Sequence, residues 1–188
     1  MLLARLVTAV LVLQFEAQAA LAGQPLLIDV DTPTGSATYV LLENDIEVGD
    51  SNRFFRLVRR TPHVTGVMLS SMGGSADDGL AIAKYIFERK LDTMVTATCH
   101  SICAIMFLAG NRRFVTVDAA ITVHSAYKQI GDWVAVDHRT NGTVAWFLGH
   151  MGYPLPLARL WVTTPTEGAA PITLEMSEKL GLGFTVID

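Results

Sequence analysis

Three short stretches of this chain carry side chains suited to covalent chemistry. The first is Cys99-His100-Ser101-Ile102-Cys103, which opens an apolar run ending at Ala109-Gly110. A strand is predicted to end at Ala97 and a helix to run from Ser101 to Ala109, stopped by Gly110. A serine in that place is by default an N-cap. The sharper reading is a nucleophile held at a strand-to-helix turn, with the N–H of Ile102 placed as an oxyanion donor. The stretch lacks the G-x-S-x-G pattern of a nucleophile elbow. The second is Ala120-Ile121-Thr122-Val123-His124, an apolar strand ending in histidine. A serine hydroxyl needs a base that works near neutral pH, and an imidazole is the usual one. The third is Gly73-Gly74, directly after one strand and before a helix. It reads either as a plain turn or as a place where a backbone N–H faces an anion or oxyanion.

The elements that must position these residues alternate. Strands are predicted at Leu26–Val30, Ala37–Glu43, Val64–Ser70, Met94–Ala97, Phe114–Val117 and Ala120–His124. Helices are predicted from Asp50 or Ser51 to about Arg60 and from about Asp77 to Arg89. Strand and helix in turn through the middle of the chain imply an α/β fold with parallel crossovers in one domain. After His124 the pattern changes. Asp132 to Met151 reads as one long helix, with Trp133, Val136, Thr140, Val144, Phe147 and Met151 near one face. Short helices follow at Pro156–Val162 and Thr173–Leu180, then a last strand at Phe184–Ile187.

The 188 residues suffice for one domain with a real core, and 51% hydrophobic with 17% charged residues is a globular balance. The net charge of −4 lacks the basic stripe of a nucleic-acid binder. The first 22 residues have the plan of a secretory signal peptide. Arg5 precedes an apolar Leu6–Leu13 core, and Ala17-Gln18-Ala19 and Ala20-Leu21-Ala22 offer small-residue cleavage sites. The apolar run is short of the roughly 20 residues that span a bilayer. Residues 23–188 are expected to form the exported domain, periplasmic or secreted. In such a compartment Cys99 and Cys103 could form a disulfide that pins the turn carrying Ser101. The alternatives are two buried thiols or a metal site with His100, the latter short of ligands.

Taken together the three stretches resemble the Clp protease proteolytic subunit and, more loosely, its signal peptide peptidase A and crotonase relatives. Ser70-Ser71-Met72-Gly73-Gly74 is similar to the family's Ser-Pro-Gly-Gly turn, with Met72 in place of the proline. Ser101 to Ala109-Gly110 is similar to its nucleophile helix. Arg113-Phe114 followed by His124 is similar to its Lys-Arg strand and Met-Ile-His ending. The resemblance covers about Tyr39 to Ala126. It implies a Clp protease/crotonase-like ββα superhelix, with Ser101 as nucleophile, His124 as general base, and Gly74 and Ile102 as oxyanion donors. No cofactor is expected. The family's third triad member falls near Ala169, where Glu167 is the nearest acid; Asp132 and Asp137 are further candidates. The resemblance also implies a peptide or protein substrate and self-association through the helix after the His strand, with Trp133 and Trp146 as anchors. An ATPase partner is not expected outside the cytoplasm. Without an orienting acid the chain would be a weak enzyme, or a binding or scaffold protein that kept the fold.

Overall fold

A computed structural model describes residues 24–32 and 35–187. The signal-like segment lies outside the described residues. Among the described residues ten strands and six helices form a mixed α/β domain. β1 (Leu26–Thr32) and β2 (Gly35–Glu43) make an antiparallel pair. From β2 the sheet continues in parallel through β3 (Val64–Ser71), β4 (Asp92–His100), β5 (Arg113–Thr116) and β10 (Phe184–Ile187). The crossovers run through α1 (Asp50–Arg60), α2 (Ala76–Arg89) and α3 (Ile102–Leu108).

β4 governs the site. Its first half, Thr93–Val95, pairs with β5, and its second half, Thr98–His100, pairs with β6 (Ala120–Val123). The strand predicted at Met94–Ala97 is therefore longer at both ends, because two successive partners satisfy its backbone. Its carboxyl end lies between β3, where Ser71 faces Cys99, and β6, where Thr122 faces His100. The ends of β4 and β6 thus deliver Ser101 and His124 to one edge of the sheet.

α3 is buried on every side, as an apolar helix without a polar face must be. Burying Ile102, Ile105, Phe107 or Leu108 contributes about 1.5–3 kcal/mol each. The helix is clamped at its C-terminal end, where Thr93 Oγ1 donates to Phe107 O at 2.7 Å and Tyr153 Oη donates to Leu108 O at 2.6 Å. Burial pushes the Tyr153 phenol up to about 12, against the pull of Arg113, so it remains a donor. At the other end, a Cβ on Gly79 of α2 would lie 2.4 Å from Ile102 Cγ1. Only a glycine lets α2 approach the first residue of α3 this closely.

The helix predicted over Asp132–Met151 is corrected. β7 (Tyr127–Ile130) and β8 (Trp133–Val136) form an antiparallel hairpin around Gly131-Asp132, and α4 covers only His138–His150. Asp137 is the N-cap of α4, accepting from the N–H groups of Arg139 and Thr140 and from Thr140 Oγ1. Gly131 takes a positive φ of 58°, the turn chemistry of a tight hairpin. α5 (Leu155–Thr163) packs on α4; β9 (Ala170–Pro171), paired to β6, and α6 (Leu174–Leu180) complete the domain. Among the described residues no helix is long and apolar enough to cross a membrane.

Candidate active site

Ser101 occupies the N-cap position of α3, yet its side chain makes no capping hydrogen bond. Its backbone sits at φ 56° and ψ −125°. A non-glycine residue with positive φ costs of order 1–3 kcal/mol and persists only where its surroundings impose it. The surroundings here are explicit. Ser101 N–H donates to Thr122 O at 2.9 Å, which extends the β4–β6 ladder by one residue. Ala104 N–H donates to Ser101 O at 3.0 Å, which starts the helix. The chain must turn from strand to helix within that one residue. Cys99 and Cys103 are joined by a disulfide across the turn, with Cα atoms 5.1 Å apart. Both are fully buried. Because the two sulfurs bond each other, neither the thiol nor the metal-site alternative holds.

The Gly73-Gly74 turn closes over the serine. A Cβ on Gly73 would lie 2.8 Å from Ser101 Cβ and 3.4 Å from its Oγ, so only glycine fits against the serine. Gly74 is paired with Ile46 in a parallel bridge. Ile46 N–H donates to Gly73 O and Ser75 N–H to Ile46 O, both at 2.6 Å. In that bond pattern the bridge is made by the neighbours of Gly74, and its own N–H points to the opposite side. Among the described residues that N–H has no acceptor. Ile102 N–H belongs to the first turn of α3, where an α-helix leaves its donors free.

His124 follows β6 and is buried, with 6% of its surface exposed. Its Nδ1 lies 2.9 Å from Ser125 O. A carbonyl only accepts, so Nδ1 must carry a proton, which in the neutral ring leaves the lone pair on Nε2. No buried side-chain nitrogen or oxygen among the described residues lacks a partner, so the otherwise unbonded Nε2 is open to solvent. No hydrogen bond joins Ser101 Oγ to His124 in this structure. Catalytic hydrogen bonds are often long without substrate.

Glu167 is not the acceptor on His124. It is exposed and accepts from Thr166 Oγ1 at 2.8 Å; that bond lowers its pKa. Asp132 lies in the exposed hairpin turn and Asp137 is spent as a cap. The expected carboxylate is thus replaced by the Ser125 carbonyl.

Two further residues hold this geometry. Asn141 on α4, 3% exposed, accepts from Ala126 N–H at 2.7 Å and from Trp161 Nε1 at 2.7 Å, and donates to Ala126 O at 3.2 Å. With the bond from Ser125 N–H to Thr164 O at 3.0 Å, it fixes the backbone that presents Ser125 O. Asp78 accepts from Gly49 N–H, Ser51 N–H, Ser51 Oγ and Ser75 Oγ. It ties the start of α1 to the turn that carries Gly74. Burial alone would raise its pKa, but these hydrogen bonds outweigh it and hold the carboxyl below its ordinary value. The spacing Ser75-Ala76-Asp77-Asp78 was a readable capping signal for it.

No family profile matches the chain, nor does any curated protein. Among solved structures 620 chains match. One is a membrane-bound stomatin-specific protease, solved as a serine-to-alanine mutant. It superposes with a TM-score of 0.60 at 13% identity, over 78% of this chain and 77% of that one. The chain therefore shares the fold of a protease. A cleft of about 690 Å³ opens at the carboxyl ends of β2, β3 and β4, lined by Glu43, Asp45, Glu47, Ser71, Met72 and Thr98. Its lining does not include Ser101, which lies against Gly73, the residue after Met72.

Proposed function

We propose that this chain is an exported serine hydrolase that cleaves peptide bonds through Ser101 and His124. The observation that carries the reading is the positive φ of Ser101 at a strand-to-helix turn, with the hydroxyl withheld from the capping bond that would explain a structural serine. Ser101 Oγ attacks the scissile carbonyl while its proton passes to His124 Nε2, free because Nδ1–H is held by Ser125 O. The N–H groups of Gly74 and Ile102 take the oxyanion. As the tetrahedral adduct collapses, His124 returns the proton to the leaving amine, and an acyl-enzyme remains. Water, deprotonated by the same imidazole, then releases the acid and restores the serine.

Export is supported by the signal-like first 22 residues and by the buried disulfide, a bond that persists in oxidising compartments. Residues 23–188 are the mature enzyme in this reading. Self-association is supported by the β7–β8 hairpin, which leaves Trp133, Val134 and Ile130 exposed.

One observation favours a second reading, a scaffold that kept the fold: among the described residues His124 has no carboxylate partner. A fluorophosphonate probe on the folded, oxidised protein separates the two. Labelling that Ser101→Ala abolishes, with the fold intact by circular dichroism, supports the hydrolase. No labelling, or labelling that survives Ser101→Ala, refutes it.

A further inference from the structure

A triad acid does two things for its histidine: it selects the tautomer and it holds the ring in the plane that faces the nucleophile. In this chain the Ser125 carbonyl selects the tautomer. One hydrogen bond to a ring edge leaves the imidazole free to rock about that bond, so the plane requires a second restraint.

That restraint is in the residue just before the nucleophile. His100 is the last residue of β4, half-buried. Its Nδ1 is hydrogen-bonded to Thr122 Oγ1, on the residue it faces across the β4–β6 ladder. A threonine hydroxyl both donates and accepts, so it serves His100 in either neutral tautomer. The His100 ring lies against the His124 ring, with centroids 4.7 Å apart and planes 21° from parallel. The next rings around His124, those of Tyr127 and Trp161, are at 6.0 and 6.4 Å.

We propose that His100 is a positioning residue, a ring platform that fixes the plane of His124 where a triad carboxylate would otherwise do so. This rests on the hydrolase reading above.

The platform works only while it is neutral. An imidazolium forms on His124 during acyl transfer, and a second cation stacked on it would oppose that charge. Burial, and next to it the His124 charge, hold the His100 pKa below the ordinary histidine value. Among the described residues the charge that bears on His100 is that of His124; Tyr127 is the other titratable ring packed on His124.

The experiment compares His100→Ala with His100→Phe in the full, oxidised chain, by the kinetics of fluorophosphonate inactivation. His100→Ala should lower the maximal inactivation rate roughly 10-fold or more, part of the 10²–10⁴ that a positioned base supplies, with the probe's half-saturating concentration unchanged. His100→Phe, which keeps a flat ring and loses the nitrogens, should recover most of that rate. Histidine NMR supplies a second readout: the His100 ring should titrate below an ordinary exposed histidine and move up in His124→Phe. Full labelling of His100→Ala, equal losses in both variants, or a His100 titration unmoved by His124→Phe would each overturn the platform. Absence of labelling in the unmodified protein would overturn the hydrolase reading and the platform with it.

Discussion

Asn141→Ala is the perturbation that most directly tests how the His124 end of the site is built. The substitution removes an amide that makes three hydrogen bonds, two with Ala126 backbone groups and one from Trp161 Nε1. Trp161 is 1% exposed, so its indole N–H is left in the core without an acceptor. A buried donor stranded in this way costs about 1–3 kcal/mol, and each part-buried backbone bond adds about 0.5–1.5 kcal/mol. The total is about 2–6 kcal/mol, to be read from urea denaturation against the parent. A double-mutant cycle isolates the indole's share. Trp161→Phe alone leaves the two Ala126 bonds in place, and in the double variant no indole N–H is stranded. Asn141→Ala should therefore cost about 1–3 kcal/mol less when it is made on top of Trp161→Phe. The same substitution frees the backbone that carries Ser125 O, so fluorophosphonate labelling should fall at urea concentrations where the fold persists. A loss under about 1 kcal/mol, strict additivity in the cycle, or unchanged labelling would refute this account of the site.

Further outcomes are expected. Gly73→Ala should abolish labelling, because its Cβ would lie 2.8 Å from Ser101 Cβ at a backbone φ of 97°; activity equal to the parent would remove the turn from the site. Glu167→Gln should leave inactivation kinetics within about two-fold, since its carboxylate is exposed and bonded to Thr166. Asp78, held below its ordinary pKa, contributes stability that is present above the unfolded value near 4 and lost as pH falls through the folded one. Asp78→Asn should therefore flatten the dependence of the urea midpoint on pH in the acid range, and an unchanged slope would exclude Asp78 as its source. The native protein should show no alkylatable thiol before reduction and two after unfolding in reductant. The short closed loop makes the stability lost with the bridge modest, about 2 kcal/mol in the chain-entropy view.

The central part of this fold was legible because local pattern and global topology agree there. β-branched runs at Val64–Ser70 and Ala120–Val123, and glycines at each crossover, leave few alternatives to a parallel sheet. The segment after His124 was not, for a definite reason. Trp133, Val136, Thr140, Val144 and Phe147 recur at helical spacing, and the period hides the change of structure at Asp137. Gly131-Asp132 as a hairpin turn and Asp137 as a cap were the opposing signals. Asn141 could not be found from sequence, since its partners lie 15 and 20 residues away. Glu167 lies near the expected place of the acid in sequence, but that nearness carries no information about which way a loop carboxylate points. His100 stands in the same pentapeptide as Ser101, but the role proposed for it comes from a cross-strand partner and a neighbouring ring.

The arrangement around Ser101 explains why such a site would keep a disulfide. The serine must hold a backbone conformation that L-residues avoid, between a strand hydrogen-bonded on both sides and a helix sealed in the core. Cys99 and Cys103 stand two residues before and two after it, so the bridge spans the smallest segment that contains the whole turn. Its stabilisation is comparable to the cost of about 1–3 kcal/mol for the strained residue, and it acts on the same residues. Being buried, the bond can be reduced only when the turn has already opened. The strained geometry and the bond that restrains it therefore open together, so reduction should be slow in the native protein and should speed up as urea favours opening of the turn.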